Sequence, residues 1–170
     1  MDRDLRDTPL YHEIEEHFRR LYEPSFGRIS GAMEVAPSPD GRVVAFTGIR
    51  MDKLEGSPAS RIGLADLETG AISEITGGPG DDRLPKWSPD GSRLAFLSDR
   101  AEKGHHQLYL LDGGRVGEAA GTTAVEGTVE YLDWSPDGSA ILLGVASPGA
   151  DKAGGEGSGA IKRDDDDLPS

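Results

Sequence analysis

The chain has no cysteine, which removes disulfides, thiolate metal ligands and cysteine nucleophiles and suits a reducing compartment. Aromatic residues make up only 6% and just two are tryptophans. Positive charge is also scarce: 18 Lys and Arg stand against 31 Asp and Glu, for a net charge of −13. Phosphate backbones are bound by Lys and Arg, so this balance argues against nucleic acid as a partner. Long apolar runs are missing too. Nothing approaches the roughly 18 residues of a membrane span, and Met1 to Leu10 alternates charge where a secretory leader would carry about 7 to 15 apolar residues. We therefore expect no membrane partner and a cytoplasmic location. At 170 residues and 18.0 kDa the chain suits one domain with a real core. Its hydrophobic share of 35% is low partly because 24 residues are glycine.

What the chain does have is an internal repeat. Ser38-Pro39-Asp40-Gly41, Ser88-Pro89-Asp90-Gly91 and Ser135-Pro136-Asp137-Gly138 recur at a spacing of about 50 residues. Each is followed by an apolar run: Val44-Ala45-Phe46, Leu94-Ala95-Phe96 and Ile141-Leu142-Leu143. Trp87 and Trp134 precede the second and third copies, and Pro37 holds that place in the first. Pro presets φ for a type I turn, Asp suits the next position, and Gly supplies the left-handed residue that closes a bulged hairpin. The strand after each turn is apolar on both faces, so we expect it to be buried on both.

A third strand is predicted over Arg61 to Leu67 and Gln107 to Asp112, and a fourth over Ala71 to Thr76 and Arg115 to Ala119. Four short antiparallel strands in about 45 to 50 residues is the period of a β-propeller blade. Solenoids of similar period are helical, which the Pro, Gly and β-branched content opposes. The predicted fold is all-β: an incomplete β-propeller of about two and a half four-stranded antiparallel blades, preceded by one helix. That helix is expected over Thr8 to Tyr22, with Thr8 as cap, Pro9 in the first turn, and Leu10, Ile14, Phe18 and Leu21 on one face. The predicted organisation is an N-terminal segment over 1–27, a partial propeller over 28–147 and a Gly-rich acidic tail over 148–170, which we expect to be disordered.

The strings Pro85-Lys-Trp-Ser-Pro-Asp-Gly-Ser-Arg-Leu-Ala-Phe-Leu-Ser-Asp-Arg100 and Leu132-Asp-Trp-Ser-Pro-Asp-Gly138 resemble WD-type β-propeller repeats. The subgroup is that of the Tol-system translocation protein and of the propeller domains of prolyl oligopeptidase-family serine peptidases. The leading helix and the Met51 to Ser60 insertion look more like the acylaminoacyl peptidase and dipeptidyl aminopeptidase branch. The resemblance implies a propeller that screens peptide substrates for a C-terminal α/β-hydrolase domain holding Ser, Asp and His. No Gly-x-Ser-x-Gly nucleophile turn occurs in this sequence; Ser158 misses it, with Glu156 and Ala160 where glycines are needed. No catalytic residue is therefore carried over. Closed propellers need about 4 to 8 blades, so we expect the N-terminal portion of a longer peptidase. The alternative is a non-enzymatic, Tol-like interaction scaffold.

Other chemistry-bearing residues read as structural. His12 and His17 are five apart, about 140° around a helix, and cannot share one metal. His105 and His106 are adjacent before a strand and point to opposite faces. Asp164 to Asp167 lack the turn and glycine of a calcium loop. Asp40, Asp90 and Asp137 belong to turns. Gly77-Gly78-Pro79-Gly80 lacks the Lys-Ser/Thr ending of a phosphate cradle. Trp87 and Trp134 are expected to pack between blades. The sequence thus nominates no catalytic, metal or cofactor residue, and no cofactor.

Overall fold

The computed structural model describes residues 4–54, 56–113 and 119–148. Helix α1 (Pro9–Tyr22) starts where turn chemistry places it: Thr8 Oγ1 accepts from the Tyr11 amide at 3.3 Å and donates to the Leu5 carbonyl at 2.6 Å, with Pro9 in the first turn. Single 3₁₀ turns flank it at Leu5–Asp7 and Glu23–Ser25. Its apolar ridge is real but unburied, since Leu10, Ile14, Phe18 and Leu21 are all exposed.

The remainder is antiparallel sheet. The first blade is β1 (Ile29–Pro37), β2 (Val43–Arg50), β3 (Ala59–Asp66) and β4 (Ile72–Glu74), paired in chain order. The second repeats that order with β5 (Asp82–Trp87), β6 (Arg93–Ser98), β7 (Gln107–Asp112) and β8 (Ala120–Gly121). β9 (Thr128–Trp134) and β10 (Ile141–Ala146) form a two-stranded sheet, the first hairpin of a third blade. The fourth strand of the second blade lies at Ala120–Gly121, later than predicted. Of the stretch 115–119, only Ala119 is among the described residues, and it precedes that strand. The acidic tail beyond residue 148, with Ser158 and Asp164 to Asp167, lies outside them.

Two apolar clusters sit between the sheets. Ala45 and Ile62 of the first blade meet Leu94, Phe96 and Leu111 of the second, flanked by Trp87 and Tyr109. Ala95, Leu97 and Leu108 of the second meet Val129 and Leu132 of the third, flanked by Trp134, Ile141 and Leu143. Strand alternation explains the division: in β6, Leu94 and Phe96 face one neighbour while Ala95 and Leu97 face the other. Each fully buried Leu, Ile, Val or Phe among them contributes about 1.5–3 kcal/mol of burial. β2 and β6 are covered on both faces as predicted, but β10 is not. Leu142 is 69% exposed, because among the described residues no blade covers that side.

Candidate functional site: the seams between blades

The three Ser-Pro-Asp-Gly turns have the same wiring. In each, the serine Oγ donates to its own aspartate at 2.6 Å and accepts from the amide five residues on: Val43 at 3.1 Å, Arg93 at 2.9 Å and Ala140 at 2.9 Å. The same aspartate oxygen takes the amide of Arg42, Ser92 or Ser139 at about 3.0 Å. Gly41, Gly91 and Gly138 adopt φ near +70°, a conformation glycine reaches without cost. The serine hydroxyl is committed on both its donor and acceptor sides, which leaves it unsuited to nucleophilic attack.

These bonds favour ionised carboxylates. Hydroxyl donation from Ser88, then the amide and hydroxyl of Ser92, holds the Asp90 carboxyl down at about 2. Asp137 is held at about 2 by Ser135 and then Ser139 in the same way. Asp40 is lowered by Ser38 and then the Arg42 amide; the hydroxyl that Ser92 and Ser139 add is absent where Arg42 stands.

Two devices recur at both seams, and a third acts at the first. The Trp87 indole N–H donates to the Ala36 carbonyl at 3.1 Å, and the Trp134 indole to the Lys86 carbonyl at 3.0 Å. A Cβ on Gly91 would lie 3.5 Å from Pro39 Cδ, and one on Gly138 3.4 Å from Pro89 Cδ, so each turn seats against the previous proline. Glu34 forms the third device. Its Oε2 accepts from Thr47 Oγ1 at 2.6 Å and from the Leu84 amide at 2.8 Å across the first seam. Glu34 and Leu84 occupy the bulges of β1 and β5 with φ of 51° and 55°, a region costly for side-chain-bearing residues.

The innermost strands β1, β5 and β9 meet in succession and expose Met33, Val35 and Tyr131. At the turn end of the first seam, a cleft of about 440 Å³ opens between Asp40, Trp87 and Asp90. At the opposite end a polar network closes the seam. The Arg61 guanidinium, in a residue 6% exposed, donates to the carbonyls of Gly78 (2.8 Å) and Gly80. Asp81 accepts from the Ser60 amide at 2.9 Å, and its own amide donates to Asp99 at 2.6 Å. Burial raises the Asp99 carboxyl, but the Gly104 and Asp81 amides outweigh it and the net shift is downward. Arg100 pairs with buried Asp82 at 2.9 Å and lies over the Tyr109 ring at 4.7 Å.

The residues singled out in the sequence stay apart. His12 lies 3.8 Å from Glu15, His17 meets the Phe18 ring edge at 5.9 Å, and His105 sits 3.7 Å from Glu102. Gly77 to Gly80 offers carbonyls to Arg61, the opposite polarity to an anion cradle. Among the described residues no three acidic, His or Cys side chains gather as a metal site, and no helix is long and apolar enough to cross a membrane. Glu34, Arg61 and Arg100 were not legible beforehand, because their partners lie far along the chain and a left-handed glutamate has no sequence signature.

Stacked four-stranded blades joined this way define an incomplete β-propeller. The β-propeller domain of the Trilobed protease from Pyrococcus furiosus has this fold, with a TM-score of 0.52 at 18% identity over 69% of this chain and 34% of that one. TolB from Acinetobacter baumannii matches at TM-score 0.55 and 28% identity, over 72% of this chain and 28% of that one. In sequence, the chain is 37% identical over 109 residues to the uncharacterized peptidase YuxL of Bacillus subtilis, covering 64% of this chain and 16% of the relative. It is 27% identical over 128 residues to dipeptidyl-peptidase 5 of Porphyromonas gingivalis, covering 72% and 19%. The chain thus spans less than a fifth of the length of these two relatives. No protein-family model matches it. It is a propeller unit related to peptidases.

Proposed function

We propose that the chain is the first part of the substrate-screening propeller of a cytoplasmic serine peptidase of the prolyl oligopeptidase type, in the acylaminoacyl and dipeptidyl aminopeptidase branch. Residues 1–27 form its leading segment, 28–147 the partial propeller and 148–170 a tail. Its partners are an α/β-hydrolase domain, which supplies the nucleophile, and the peptides admitted to it. The observation that carries this reading is the 37% identity to a peptidase over the repeat region. The committed turn serines agree with it, since the seams hold blades together and leave chemistry to another domain.

The test is a hybrid in which residues 29–148 replace the matching stretch of YuxL, assayed on short acyl- and dipeptidyl reporters and on long peptides. Cleavage of short reporters with long peptides excluded is the expected result. A folded hybrid that cleaves both alike, or neither, overturns the reading. The chain alone is expected to remain unlabelled by a serine-directed fluorophosphonate, and labelling within it would assign the nucleophile here. The TolB likeness, at 28% identity, favours a second reading as a non-enzymatic scaffold. Light scattering that finds a defined complex with a non-peptidase protein would support that instead.

A further inference from the structure

We propose that Asp112 is a covalent modification site, where the folded chain isomerises to an isoaspartyl linkage in preference to its other Asp-Gly pairs. The sequence holds Asp-Gly four times, at Asp40-Gly41, Asp90-Gly91, Asp112-Gly113 and Asp137-Gly138, and contains no asparagine. In such a pair the glycine amide nitrogen, unhindered by a Cβ, attacks the aspartate Cγ. The N–Cγ bond forms, the carboxyl hydroxyl leaves as water with the amide proton, and a five-membered succinimide closes. Water then adds to the main-chain carbonyl carbon of the ring and its C–N bond breaks. The nitrogen stays on Cγ, and the former main-chain carbonyl becomes a free carboxylate. One water leaves and one returns, so no oxidant or co-reactant is needed.

Three features fail to separate the four pairs. All four aspartates are exposed. Every glycine amide donates to a serine carbonyl, Gly41 to Ser38, Gly91 to Ser88 and Gly138 to Ser135 at 2.9 Å, and Gly113 to Ser92 at 2.6 Å. All four glycines have positive φ, between 59° and 71°. The carboxyl is what differs. In the repeat turns it accepts from a serine hydroxyl two residues back and from the amide two residues on, which holds it away from the glycine nitrogen and favours its unreactive ionised form. Asp90 and Asp137 gain a further hydroxyl from Ser92 and Ser139. Among the described residues the Asp112 carboxyl accepts none. Asp112 ends β7 opposite Arg93 of β6, and Gly113 lines the cleft of the first seam. Isomerisation there lengthens the backbone by one carbon between the Arg93 pairing and the Gly113 bond to Ser92.

The test ages the full chain at physiological temperature and mildly acidic pH. Isoaspartate is read by methyl transfer from an isoaspartyl methyltransferase and located by peptide mapping with electron-transfer fragmentation. Asp112 is expected to accumulate on the order of tenfold more than Asp90 or Asp137, the factor set by the hydrogen bonds those carboxylates must give up. Asp40, with one hydroxyl donor fewer, should fall between. In urea the four sites should accumulate alike. Equal accumulation in the folded chain, more at any repeat turn than at Asp112, or a bias that persists in urea overturns the proposal. Two variants at exposed positions sharpen it. Asp112→Glu should remove most of the methyl incorporation, and Ser92→Ala should raise Asp90 to the level of Asp40 while leaving Asp112 the highest. Incorporation unchanged by Asp112→Glu, or an Asp90 yield unmoved by Ser92→Ala, also overturns it.

Discussion

Ala95 and Leu142 hold the same place in consecutive blades, yet the first is fully buried and the second 69% exposed. The second blade has a neighbour on each side, and among the described residues the third has one only on the side of Ile141 and Leu143. The repeat unit therefore sets which way a side chain points, and the neighbouring blade sets whether that direction is inside. In a row of stacked sheets, stability resides in the seams as much as in the units.

The largest expected contrast concerns the two tryptophans. Trp87→Ala removes a ring packed on the cluster that holds Ala45, Ile62 and Leu94 and its bond to the Ala36 carbonyl, and should cost about 3–5 kcal/mol in urea denaturation followed by Trp134 emission. Trp134→Ala should cost less, because the hairpin it anchors is bare on its other face and can settle into the space. A larger loss for Trp134→Ala would break the comparison between the blades.

Moving the third blade's residue into the second gives the next effect. Ala95→Leu pushes extra atoms against Val129 and Leu132, where close packing leaves no room, and should cost about 1–3 kcal/mol. A cost near zero in thermal or urea melts would mean that the second seam is loose.

The turns and the strands following them were legible because their causes are local: Pro, Asp and Gly act within four residues, and alternation within one strand. The double coverage of β10 was misjudged for the complementary reason. Leu142 is as apolar as Leu94, and nothing nearby in sequence tells whether a further sheet lies over it. The seams were only half legible. Trp87 and Trp134 announced themselves by recurrence, but Glu34 gave no sign, since its partner, the Leu84 amide, is 50 residues away. Arg61, which caps the carbonyls of the Gly77–Gly80 loop, read as one more strand residue. The helix was read correctly as amphipathic, and its apolar ridge, like Leu142, shows that patterning does not guarantee burial.

A smaller effect separates the turns by pH. Asp90 and Asp137 sit at about 2 in the folded chain against an ordinary 3.8. A carboxyl depressed on folding contributes stability that is fully present above its unfolded value and is lost as pH falls through the folded one. The wild-type melting temperature is therefore expected to decline between about pH 4 and pH 2. Asp90→Asn should flatten that decline, and Asp40→Asn should flatten it less, because Asp40 lacks the second hydroxyl donor. Equal flattening by both variants would show that the Ser92 hydroxyl contributes nothing.

The smallest effect is the most telling about the third blade. Leu142→Ala deletes the same kind of side chain whose loss from a core costs about 2–5 kcal/mol, from a strand whose counterpart in the second blade is buried from Leu94 to Ser98. With 69% of the residue already in water, little burial remains to be lost, and the expected change in a urea melt of this chain is below about 0.5 kcal/mol. The measurement discriminates because Leu143, its immediate neighbour in β10, packs into the second seam. Leu143→Ala should cost several times more in the same melt, although the two residues differ only in the direction they face. If Leu142→Ala proved as costly as Leu143→Ala, the outer face would already be covered in solution, and the asymmetry between the second and third blades would disappear.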